Sequence, residues 1–93
     1  MSLTTNTTFD ASAHWELSAQ VSLRDEEFGA LAYHHVNRRL VFLKSRDLVN
    51  LVRRLGEFEN AREALDALIG VHEHDRYLVA LSSLAQSELL HGG

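Results

Sequence analysis

Residues 28–56 read FGALAYHHVNRRLVFLKSRDLVNLVRRLG, and within them the spacing of the apolar side chains changes once. From Phe28 to Val36 the segment is rich in aromatic and β-favouring residues, which predicts a strand, with Gly29 near its start where a bulge or bend is tolerated. Asn37 and Arg38 then make a turn. Asn tolerates the left-handed conformation of tight hairpins, so the pair connects this strand to a second one over Arg39–Lys44. At Ser45 the period becomes helical: a hydroxyl suited to capping precedes Leu48, Val49, Leu51, Val52 and Leu55 on one stripe, and Gly56 ends it.

Upstream, Trp15, Leu17, Ala19, Val21 and Leu23 alternate strictly with Glu16, Ser18, Gln20 and Ser22, a period of two that predicts one half-buried strand over 15–23. Arg24–Glu27 reads as a charged connector. Downstream, Asn60 and Glu63 occupy capping-box positions ahead of Ala64, Leu65, Leu68 and Ile69, a short helix ended by Gly70. A last helix is expected from about Glu73 to Leu90, burying Tyr77, Leu78, Leu81, Leu84, Ala85 and Leu89. This order predicts an α+β domain, winged-helix-like, with a three-stranded antiparallel sheet followed by three helices. Residues 9–93 form that single domain, and the Thr/Asn-rich residues 1–8 read as a disordered polar arm.

The 93 residues, 45% hydrophobic and 24% charged, belong to an ordinary small globular domain. The chain has no cysteine, which excludes thiolate metal sites, iron–sulfur ligation and thiol nucleophiles. The first residues lack the basic and apolar regions of a secretory signal, and no apolar run approaches the roughly 20 residues that span a bilayer. A cytoplasmic protein without membrane contact is expected.

Charge is distributed unevenly. Six of the nine basic residues (Arg38, Arg39, Lys44, Arg46, Arg53, Arg54) fall between positions 38 and 54 with Asp47 as the single acid, a net of +5; the other three face twelve acids, a net of −9.

Elsewhere the residues that could carry chemistry do not assemble into a motif. His72 and His74 are two apart at a helix start, where a helical zinc site needs i and i+4. His34 and His35 are adjacent on a strand and face opposite sides, so one of them belongs to the core or an interface with a satisfied nitrogen. No nucleophile elbow or glycine-rich phosphate loop is present. An enzyme, a metal site and a bound cofactor are not expected.

The basic run has three readings. Arg53 and Arg54 can be the solvated face of the first helix. In a winged-helix arrangement, Arg38, Arg39, Arg53 and Arg54 could meet phosphates, although the acidic remainder of the chain argues against nucleic acid. The strand Arg39–Lys44 is the last of the sheet and has a free edge, to which an acidic peptide could add as a further strand.

The segment from Phe28 to Ser45 closely resembles the peptide-chaperone family of mycofactocin biosynthesis, in which an FGALxYH strand, a turn, a basic pair and an LxFLK strand recur. The likeness extends upstream through Phe9, Asp10, Trp15, Leu17 and Val21, and downstream through Leu81, Leu84, Ala85, Gln86 and Ser87. That family resembles the broader group typified by pyrroloquinoline quinone biosynthesis protein D, the recognition domains of ribosomally made, modified peptides. The resemblance implies that a short precursor peptide lies along the third strand, at Leu40, Val41, Phe42, Leu43 and Lys44; the charges of Arg38, Arg39, Lys44 and Arg46 beside that edge would favour an acidic peptide. The third helix, at Arg76, Tyr77, Ala80, Leu81 and Leu84, would form the other wall. It further implies presentation of the peptide to a radical S-adenosylmethionine enzyme, with no cofactor in this chain; the alternative is a recognition domain of another modified-peptide pathway. Leu48 and Val49 stand where the broader group often has a Gly-Ala pair, so a differently shaped groove is expected.

Overall fold

The computed structural model describes residues 9–92, so the polar segment 1–8 lies outside the described residues. The fold is α+β, as the sequence predicts. It runs β1 (Trp15–Leu17), β2 (Val21–Glu26), β3 (Gly29–His34), β4 (Leu40–Leu43), α1 (Arg46–Arg54), α2 (Ala61–Leu68), α3 (His74–Gln86) and β5 (Leu90–Gly92). Single turns of 3₁₀ helix at Leu55–Glu57 and Val71–Glu73 join the helices.

The antiparallel sheet has the order β2-β3-β4, so β4 is an edge. Ala30 pairs with Leu43 and Tyr33 with Leu40, while Val21 pairs with His34. One face of this sheet carries Ala30, Ala32, His34 and Leu43, all buried beneath the helices. Against it lie Val49, Leu51, Val52 and Leu55 of α1 and its extension, with Ala61, Ala64 and Leu65 of α2 and Tyr77, Leu81 and Leu84 of α3. Each fully buried leucine here contributes about 2 kcal/mol.

Gly29 has φ +150°, a conformation closed to other residues, and a Cβ there would stand 2.0 Å from the Leu43 carbonyl oxygen. The glycine therefore allows the start of β3 to close on the end of β4.

Three boundaries differ from the sequence reading. The expected strand 15–23 is two strands, broken at Ser18–Gln20, and β1 leaves the main sheet to pair with β5: Trp15 lies opposite Gly92 and Leu17 opposite Leu90. The charged residues Arg24–Glu26 continue β2 instead of forming a connector, because β2 is an edge whose outer positions face solvent. The last helix stops at Gln86 and not near Leu90. Glu88 takes φ 66°, its N–H donates to the Ala85 carbonyl at 3.0 Å, and the Leu89 N–H donates to Leu84 at 3.0 Å. These two bonds form a Schellman cap without glycine, and they turn the chain into β5.

Candidate functional site at the β4 edge and the α3 cleft

The β3–β4 turn fixes which backbone groups of β4 are free. His34 N–H donates to the Arg39 carbonyl at 2.9 Å, so the alternation of an antiparallel ladder makes Ala32–Val41 and Ala30–Leu43 the hydrogen-bonded pairs. Val41 and Leu43 therefore direct their backbone groups at β3. Leu40 and Phe42 direct theirs outward, where no strand lies among the described residues.

The turn itself is locally built. Asn37 Oδ1 accepts from Arg39 N–H at 2.9 Å, and Asn37 Nδ2 donates to the Ser87 carbonyl at 3.3 Å, pinning the turn to the end of α3. Arg38, not Asn37, adopts the left-handed conformation, with φ 65°. His34, 5% exposed, is the core histidine of its pair: its Nδ1 accepts from Val36 N–H at 3.1 Å and Asn37 N–H at 3.2 Å. A backbone N–H only donates, so Nδ1 is the unprotonated ring nitrogen. His35 points to the other face, where its Nε2 lies 2.6 Å from Ser22 Oγ.

At the far end of β4 the chain enters α1. Ser45 Oγ accepts from Leu48 N–H at 3.0 Å as the N-cap and also lies 3.1 Å from the Tyr77 hydroxyl. Between them opens a cleft of about 170 Å³ lined by Lys44, Ser45, Leu48, Arg76, Tyr77 and Ala80. Its floor is apolar, the Ser45 and Tyr77 hydroxyls meet in it, and Lys44 and Arg76 bring two cations, of which Arg76 also lies 3.6 Å from the Glu73 carboxylate in an exposed i,i+3 pair. The Arg76 guanidinium also lies 5.9 Å from the Tyr77 ring centre. Leu48, where a small residue was the alternative, is half-buried and narrows this cleft.

The structure thus brings Lys44, Arg76, Tyr77 and Ala80 together beside the free edge. Leu40 and Phe42 are exposed on the sheet face away from the helices, and Val41 is half-buried on the opposite face. Leu43, Leu81 and Leu84 are core residues, 1%, 0% and 4% exposed, so their side chains shape the wall and offer no contact surface. Ser45 and Leu48 line the cleft although their helical positions signal only a cap and a core stripe.

The basic run is not one patch. Arg53 bonds Asp25 at 2.9 Å, Arg54 bonds Glu57 at 3.2 Å, and Arg46 reaches the Glu26 carbonyl at 3.5 Å. Arg38, Arg39 and Lys44 make no ion pair among the described residues and stand at the two ends of β4. Elsewhere, His74 Nε2 lies 2.9 Å from the Ile69 carbonyl, and no three His, Asp or Glu side chains converge as a metal set among the described residues. No described helix is long and apolar enough to cross a membrane.

A strand edge with free donors and acceptors, next to a cleft holding two cations, has the chemistry to accept an extended anionic chain. The family model for the peptide chaperone MftB family matches residues 14–91, and the chain belongs to that family. It is 46% identical over 83 residues to a peptide chaperone MftB of Mycobacterium ulcerans, covering 88% of this chain and 76% of that protein. Similarity to the proteins of that name from Mycolicibacterium smegmatis (46% over 85 residues, 89% and 82% covered) and Mycobacterium tuberculosis (42% over 83 residues, 88% and 76% covered) is comparable. These relatives are named as chaperones, not enzymes. No solved structure matches the chain.

Proposed function

We propose that this protein is a peptide-binding chaperone of mycofactocin biosynthesis that takes up a short acidic precursor peptide as an added strand on β4 and presents it to a radical S-adenosylmethionine enzyme. The observation that carries the reading is the outward direction of the Leu40 and Phe42 backbone, on a strand that ends beside the cleft between α1 and α3. Backbone bonding would give affinity, the cleft would give selectivity, and Arg38, Arg39 and Lys44 would attract the anionic ligand. The family supports the peptide as ligand. The ion pairs of Arg53 and Arg54 weaken the nucleic-acid alternative, because they remove two cations from the footprint a duplex would need.

Calorimetric titration of the candidate precursor peptide, with and without the enzyme, tests the proposal. Stoichiometric binding to the chaperone, and turnover of the peptide that depends on it, are the expected results. Binding of a duplex oligonucleotide at physiological salt with no binding of the peptide contradicts it.

A further inference from the structure

The sheet face away from the helices is not a neutral surface. Phe28, Leu40 and Phe42 are 45%, 57% and 54% exposed there, and the two phenyl rings pack on each other with centres 5.8 Å apart. Leu31 and Tyr33 continue the apolar surface across β3, where a shallow depression of about 230 Å³ opens between Tyr33, Leu40 and Arg24. Large apolar side chains beside an unpaired strand edge expose a protein to association unless something covers them.

A second copy of this chain does not fit. Antiparallel pairing of two β4 edges centred on Phe42 would set Leu40 opposite Lys44, bringing Lys44 of each copy toward the Arg38–Arg39 turn of the other. Each end of the paired strands would then gather Arg38 and Arg39 of one copy and Lys44 of the other, with Asp47 as the single acid of that stretch. An extended chain that carries carboxylates does fit.

Strand geometry then dictates the ligand's pattern. Successive side chains of any added strand point to opposite faces, whichever direction the strand runs. The residue bonded to Phe42, and those two positions away, must lie on the outer face over Phe42, Phe28 and Leu40. The intervening residues must point to the helix side, where the one nearest Lys44 meets the cleft and its two cations.

We infer that Phe28, Leu40 and Phe42 form the second half of the peptide site, and that its ligand is an alternating segment: apolar side chains at every second position over these residues, and a carboxylate between them directed at Lys44 and Arg76. This rests on strand addition to β4, and it adds a side-chain code that strand addition alone does not specify. Phe28 precedes β3 by one residue, so its part in the site follows from the ring contact and not from the edge.

The test is a substitution scan of the candidate precursor peptide, each residue in turn replaced by Asn, read by fluorescence anisotropy against the wild-type chaperone, Phe42→Ala and Arg76→Ala. Both protein substitutions are at exposed positions, and circular dichroism checks that the fold is kept. Expected are two interleaved sets of sensitive positions. Apolar-to-Asn replacements should weaken binding about tenfold in wild type and little in Phe42→Ala, whereas the acid-to-Asn replacement should lose its effect only in Arg76→Ala. Peptide binding with no alternation, or with Phe42→Ala at wild-type affinity, overturns the inference while leaving peptide recognition in place. Absence of any peptide binding overturns both, and concentration-dependent dimerisation that disappears in Phe42→Ala would assign the face to a second copy.

Discussion

Ser45 Oγ lies 3.1 Å from the Tyr77 hydroxyl while accepting the Leu48 N–H, so one side chain both starts α1 and ties it to α3. This joint sets the width of the cleft. Ser45→Ala removes the cap and the Tyr77 partner together, and a loss of about 1–2 kcal/mol in urea unfolding is expected. Tyr77→Phe should cost less, because the cap remains and the ring keeps its packing. Equal losses in the two variants would mean that the cap itself adds nothing.

Two glycines should respond with opposite sign. Gly29→Ala places a Cβ 2.0 Å from the Leu43 carbonyl at a positive φ, and the hairpin must shift to admit it. Destabilisation of more than about 2 kcal/mol is expected. Gly70 has φ −62°, and nothing lies within 4 Å of a Cβ added to it. Gly70→Ala should therefore stabilise by about 0.4–1 kcal/mol through the unfolded chain. Denaturant midpoints of the two variants decide both.

The capping signals explain why some elements were legible. Ser45 accepts from Leu48 N–H and Asn60 from Glu63 N–H, as their spacing predicts, and α1 and α2 begin where the sequence places them. The sheet was legible only in part. Ser18–Gln20 is a three-residue break, so Trp15 and Leu17 remain in phase with Val21 and Leu23, and alternation alone carries no trace of it. The β1–β5 pair joins Trp15 to Gly92 across nearly the whole chain, through strands of three residues each, too short for a periodic signal. The end of α3 was hidden because Glu88 supplies the left-handed position where glycine is the usual mark. In the candidate site, residue types pointed to the β4 edge. The pairing of Arg53 with Asp25 depends on tertiary approach, and spacing could not show it, whereas the Arg54–Glu57 pair is an i,i+3 contact that spacing alone allows.

Charge at the two ends of β4 should act differently from charge on α1. Arg38→Glu with Arg39→Glu should weaken peptide binding at least about tenfold at low salt, and wild-type affinity should fall as salt rises past about 0.15 M. Arg53→Gln breaks only the exposed pair with Asp25, so affinity should stay unchanged and stability should drop by less than about 1 kcal/mol. Calorimetry over a salt series on both variants measures this; equal effects on affinity would return the basic run to a single diffuse patch.

Asp10 supplies the pH prediction. The Ser12 hydroxyl at 2.6 Å and the Ser12 N–H at 2.9 Å donate to its carboxylate and hold its pKa below the ordinary value. A carboxylate lowered on folding stabilises above its unfolded pKa, and that contribution is lost as pH falls through the lower folded value. In Ser12→Ala the Asp10 titration, followed by NMR, should move up toward the ordinary value. An unmoved titration would show that the Ser12 hydroxyl is not the cause.

Pairing of ligand backbone with the outward groups of β4 is probed by proline at Phe42, with Phe42→Ala as the reference that removes the same ring. Phe42 N–H faces away from β3, so proline there takes no ladder bond from the domain, whereas Leu43→Pro removes one and should unfold it. Phe42→Pro should keep its circular dichroism spectrum and bind the precursor peptide about tenfold more weakly than Phe42→Ala. A folded Phe42→Pro with the affinity of Phe42→Ala would contradict strand addition at this edge.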